Sequence, residues 1–156
     1  EEWPLPHPGI EPGRNWPGLR PPFTGTLIEI ALLEKDCEEA LRLYDEDMRK
    51  QKKTSPWNFS AAYGLREQIA EAVKNKYPDR SIAIWKDIAK NHIERTLPKE
   101  YAVALGYLKK IQGVMVKNGQ ESEFKAYIAL LKAQHIRKIR LVELLDSLMG
   151  RRIVDG

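Results

Sequence analysis

Residues 72–93 read AVKNKYPDRSIAIWKDIAKNHI: the end of one amphipathic helix, a turn, and the start of another. Proline cannot donate a backbone hydrogen bond, which is harmless only at the first helical position, so Tyr77-Pro78 marks a boundary. Beyond it Ile82, Trp85, Ile88, Ala89, His92 and Ile93 recur at intervals of three and four, the spacing of one broad apolar helix face. A lone histidine on such a face, with no Cys, Asp or second His three or four residues away, reads as a packed, hydrogen-bonded residue.

Downstream the same signals return. Thr96-Leu97-Pro98 is the next break, and the helix it opens places Tyr101, Ala104, Leu105, Leu108, Ile111 and Met115 on one side before Asn118-Gly119, where glycine can take the left-handed conformation. Gly106 and Gly113 weaken that helix by about 1 kcal/mol each relative to alanine, which leads us to expect a neighbouring helix backbone close against them. A last helix is predicted over 120–149, with Phe124, Tyr127, Ile128, Leu131, His135, Ile139, Val142 and Leu145 in register.

Upstream, Ser55-Pro56 begins a helix running to about Tyr77. Thr26-x-x-Glu29 and Asp36-x-x-Glu39 have the form of capping boxes, predicting helices over 27–34 and 37–51. The second is acidic at its start and ends in Arg49–Lys53 (RKQKK), as its macrodipole prefers.

Overlaying the chain on itself reveals a repeat. At a shift of 41, Ala31, Leu32, Leu41, Leu43 and Tyr44 fall on Ala72, Val73, Ile82, Ile84 and Trp85; at 42, Ile82 and Trp85 fall on Phe124 and Tyr127. Val73-Lys74-Asn75 recurs as Val116-Lys117-Asn118 with one residue of slippage. One helix pair cannot bury its apolar face alone, whereas stacked pairs make a continuous core. The expected architecture over residues 24–150 is therefore all-α, a tetratricopeptide-like (TPR-like) α-solenoid of about three helix pairs. The rival is a non-repeating antiparallel bundle.

Residues 1–23 carry seven of the ten prolines and three glycines, so neither helix nor central strand can persist there. They read as an extended arm or linker whose Trp3, Ile10, Trp16, Leu19 and Phe23 would lie along the first helices or meet another domain. Residues 151–156 read as a tail.

A chain of 156 residues can bury roughly 70% of its unfolded surface and needs no covalent staple. The single cysteine, Cys37, excludes an internal disulfide and fits a reducing compartment, so the expected location is cytoplasmic. Neither a signal peptide nor a membrane span is evident. Glu1 in place of an initiator methionine gives the expectation of a piece of a longer protein.

The three histidines and one cysteine show no zinc-ligand spacing, and there is no phosphate-binding glycine motif, so no metal, cofactor or catalytic residue is expected. Cys37 stands beside Glu38 and Glu39, which disfavour a thiolate. Net charge is only +4, but Lys132–Arg140 (KAQHIRKIR) carries four bases and no acid. Read as a helix, it brings Lys132, His135 and Lys138 within reach of one stripe. With Arg137, Arg140 and Arg151 these residues form a candidate nucleic-acid surface, for which the competing reading is a solvated helix face.

Tyr101-x-x-Ala104-x-x-Tyr107-Leu108-Lys109-Lys110, then Asn118-Gly119, Glu123-x-x-x-Tyr127-Ile128-x-x-Leu131 and His135-x-Arg137-Lys138-x-x-Leu141-x-x-Leu144, resembles the helical C-terminal region of SWIM zinc-finger proteins. The resemblance spans about Tyr63 to Met149 and includes the Tyr77-Pro78 unit. The family's Cys-x-Cys and Cys-x-His zinc ligands have no counterpart here, so none carries over. The resemblance implies a repeat region separated from its finger. The expected function is a non-catalytic scaffold or module for a protein or peptide partner; nucleic-acid binding through the basic segment is the alternative.

Overall fold

The computed structural model describes residues 23–53 and 61–150, and these form seven helices. They are α1 (Phe23–Leu33), α2 (Cys37–Lys53), α3 (Ala61–Val73), α4 (Pro78–Glu94), α5 (Pro98–Lys117), α6 (Glu121–Gln134) and α7 (Ile139–Leu148). The class is all-α. The Pro-rich arm up to residue 22, the Ser55-Pro56 start, and Arg151 with the tail lie outside the described residues.

Helix α4 begins with Pro78 at its first position, as its sequence requires. It buries Ile82, Ile84, Trp85, Ile88, Ala89 and Ile93 and leaves Ala83, Asp87, Lys90 and Glu94 exposed along one edge. So wide a buried face follows from two partners, since α4 packs against α3 on one side and α5 on the other. Arg66 of α3 is also buried, where its guanidinium donates to Asp87 of α4 at 2.8 Å. Ser81 is fully buried against α3 and donates its hydroxyl to the Ala70 carbonyl at 2.6 Å.

Helix α3 stops at Val73, four residues short of the expected end. A residue before proline is driven out of helical geometry, and Tyr77 takes φ −131°, ψ 67°. The amides of Lys76 and Tyr77 both turn back to the Val73 carbonyl. The turn is tied to the start of α2: Lys76 and Tyr77 each donate to Glu38 at 2.8 Å, and the Cys37 thiol faces the Ala72 carbonyl at 3.5 Å. Glu38 is therefore held below the usual carboxylate range, chiefly by hydrogen bonds from Lys76 and Tyr77.

Asp36 caps α2, accepting from the Glu39 amide at 3.1 Å, while the Glu39 carboxylate serves Arg42. Thr26 caps nothing: α1 starts at Phe23, so Thr26 lies inside a helix already under way. Lys50 of the basic run pairs with Glu46 at 2.7 Å, and Arg49 reaches the Asp45 carbonyl at 3.4 Å, which accounts for both within their own helix.

Helices α1 and α5 end in the same way. A residue in the left-handed region, Lys35 (φ 59°) or Gly119 (φ 75°), lets the next amide reach back five residues, from Asp36 to Ala31 and from Gln120 to Met115, both at 2.8 Å. Gly106 and Gly113 have no close neighbour. A Cβ built at either meets nothing within 4 Å, so no helix backbone approaches them and the packing expectation is overturned.

The predicted single last helix is two helices. Residues 135–138 form a turn, in which Lys138 passes its backbone amide to the His135 carbonyl at 2.8 Å. Helix α6 buries Phe124, Ile128 and Leu131, and α7 buries Leu141, Leu145 and Leu148. From Leu131 to Leu141 an unbroken helix would rotate about 80° short of three full turns, so both apolar rows could not face one core. The break restores them, at the expense of exposing Ile136 (72%) and Ile139 (71%). The Lys138 ammonium then closes on the Ile93 carbonyl at the end of α4, at 2.8 Å.

Each helix packs on its chain neighbours, and α1 also packs on α3 and α5 on α7. One apolar cluster runs from Ile28 to Leu148.

Candidate functional site

Helices α3 and α5 stand apart, unlike α1 and α3 or α5 and α7, and polar side chains span the gap. Tyr107 of α5 donates to Glu67 of α3 at 2.9 Å, and the Lys110 ammonium donates to Glu67 at 3.2 Å and to Glu71 at 2.6 Å. Beside these bridges lies an open groove of about 660 Å³. Its apolar lining comes from Pro78 and Trp85 of α4 and Val114 of α5, with Gly113 contributing open space. Its polar lining is Glu71, Lys110, and two Lys-Asn pairs, Lys74-Asn75 at the end of α3 and Lys117-Asn118 at the end of α5.

The groove is basic. Burial alone would raise the Glu71 carboxyl, but ammoniums at 2.6 and 2.9 Å, from Lys110 and Lys74, hold it below the usual carboxylate range. Glu71 pairs with Lys74 and Lys110, Glu67 also holds Lys110, and Lys117 makes no ion pair among the described residues. Trp85 is 1% exposed, and its indole nitrogen finds no acceptor among the described residues. The Lys110 ammonium lies 5.9 Å from its ring centroid.

The basic residues singled out in the sequence gather around the α6–α7 break, and most are engaged within the chain. Lys132 pairs with Asp146, Lys138 caps α4 through the Ile93 carbonyl, and Arg140 pairs with Glu143 at 3.3 Å. His135 and Lys138 lie in the turn, not on a helical stripe. Burial, then Lys138, lower the His135 pKa against an opposing pull from Glu94, which favours the uncharged imidazole. Arg137 is exposed in the same turn.

His92 is hydrogen-bonded through Nδ1 to Glu100 and stacked on Tyr107, with ring centroids 5.9 Å apart at 15°. It is a packed histidine, as its place on the apolar face predicts. No group of three or more His, Cys, Asp or Glu side chains among the described residues is arranged to hold a metal ion.

Comparison with protein families, curated proteins and solved structures finds no match to this chain. The groove residues escaped the reading of the sequence, although one signal was present. The recurring Val-Lys-Asn triplet, a mark of repetition in the sequence, places a Lys-Asn pair at each of two separate helix ends, and both pairs line the groove.

Proposed function

We propose that this chain is a non-catalytic helical-repeat module, a TPR-like α-solenoid of about three helix pairs that binds a protein or peptide partner. The observation that carries this reading is the groove between α3 and α5, open to solvent and lined by apolar, amide and ammonium groups. The helix spacing supports a repeat: α2 and α4 start at Cys37 and Pro78, 41 residues apart, both 17 residues long, and α6 starts at Glu121, 43 further on. Tyr44 and Trp85 are the eighth residues of α2 and α4, Tyr127 is the seventh of α6, and all three pack in or against one core.

On the resemblance over about Tyr63 to Met149, the module belongs to a SWIM-type zinc-finger protein and works in the cytoplasm. No helix among the described residues is long and apolar enough to cross a membrane. Nucleic-acid binding through Lys132, Lys138 and Arg140 has less support, because each of these already spends a hydrogen bond or ion pair within the chain.

Selection of binders from a random peptide library tests the reading. The chain should enrich related sequences that Gly113→Leu, which fills the groove, no longer retains. No enrichment, or enrichment indifferent to Gly113→Leu, would count against it.

A further inference from the structure

The groove carries its own indication of partner chemistry. Three lysines and a single carboxylate line it, and that carboxylate is already bracketed by two of the lysines. Lys117 is left with amide neighbours and no anion among the described residues. An ammonium has three donors, and Lys74 spends one on Glu71 at 2.9 Å. Asn75 and Asn118 can each donate two further hydrogen bonds to carboxylate oxygens. Between these polar ends Pro78 and Val114 form an apolar strip over the buried Trp85 ring.

Gly113 adds an independent observation. It lies well inside a helix of 20 residues, where glycine is unfavourable, and no neighbour requires its missing side chain. It lines the groove, so its missing side chain leaves room there. Gly106, in the same helix and equally unhindered, lies away from the groove and serves as the internal control.

Resting on the interaction-module reading, the geometry points to an acidic, leucine-type segment of a partner chain as the occupant, its carboxylates taken by Lys117-Asn118 and Lys74-Asn75 and an apolar side chain laid over Val114 beside Gly113. Neutral and basic segments lack the charge complementarity that the unmatched lysine offers. Association should weaken as salt screens the contact.

Fluorescence anisotropy with three capped, labelled peptides, one of Glu and Leu, one of Ser and Leu, one of Lys and Leu, tests this on the full chain. The Glu peptide should bind about tenfold or more tightly than the other two. Lys117→Glu should remove that preference, Gly113→Leu should abolish binding, and Gly106→Leu should leave it intact, all three variants keeping the parent's helical circular dichroism. Equal binding of the three peptides, lost in Gly113→Leu, would overturn the acidic partner and leave the interaction module standing. Binding of the Glu peptide that survives Gly113→Leu would overturn the groove as its location. No binding of any peptide would overturn the inference, and the library selection then decides the module reading separately.

Discussion

Trp85 is almost wholly enclosed, packed within the common core of α3, α4 and α5, yet its indole N–H meets no acceptor among the described residues. Its ring and its polar atom therefore pull in opposite directions. Removing the ring in Trp85→Ala should cost about 3–5 kcal/mol by urea unfolding, whereas Trp85→Phe keeps most of the packing, deletes the unpartnered donor and should cost about 1 kcal/mol. Equal costs would show that the donor is satisfied in solution. The pKa of Tyr127, one residue earlier in α6 than Trp85 is in α4, is pushed up to about 12 by burial. A raised folded-state pKa means that its stabilising contribution is complete below the unfolded value near 10 and is lost as pH climbs from there towards 12. Tyr127→Phe should accordingly flatten the alkaline fall in stability by about 2 kcal/mol at the top of that window, read from urea unfolding at graded pH. An unchanged alkaline limb would refute the burial of the hydroxyl. Both aromatics stood out in the sequence from their register alone, because period reports which face is apolar. Neither the missing acceptor nor the environment of the phenol is a local property, so neither could be read there.

Helix ends separate what local sequence encodes from what it does not. Pro78 and Pro98 both open helices, and Gly119 closes one with positive φ, because these residues restrict or free the backbone regardless of their surroundings. Thr96, by contrast, is forced to φ 58° just past α4 despite its branched Cβ. Thr96→Gly should gain about 1 kcal/mol, measurable as a higher midpoint in chemical denaturation; a loss would mean that the bond from Thr96 Oγ1 to the Glu94 carbonyl at 3.1 Å outweighs the strain. Gly106→Ala and Gly113→Ala, with open space around each, should add about 0.5–1 kcal/mol apiece. Destabilisation by either would restore the close helix contact first expected at these positions. The break between α6 and α7 contains neither proline nor glycine, which is why no breaker signal marked it. It comes from a register slip between two apolar rows and from the Lys138 ammonium reaching a carbonyl on α4.

Among the described helices, α4 packs against both α3 and α5, while α7 packs against α5 and α6. Amide hydrogen exchange should therefore be slowest in Ile84–Ala89 and markedly faster in α7; uniform protection across all seven helices would point to a single cooperative bundle and against a repeat. With Lys132, Lys138 and Arg140 engaged and the His135 pKa lowered, duplex DNA should bind weakly near physiological salt, and steep salt-dependent binding lost on removing Arg137 would overturn that expectation. The sequence by itself determined the helical class, the proline-marked boundaries and the inward faces of α4 and α5, since each depends on backbone chemistry or on periodicity within one helix; it missed Ile69 and Ala70 of α3 and placed Ile139, which is exposed, on the apolar row. Only the tertiary structure decided that α3 and α5 part to leave a groove, that two distant Lys-Asn pairs meet along it, and that the last helix breaks. Those features depend on which faces meet across the chain, and periodicity along one segment carries no information about its partner.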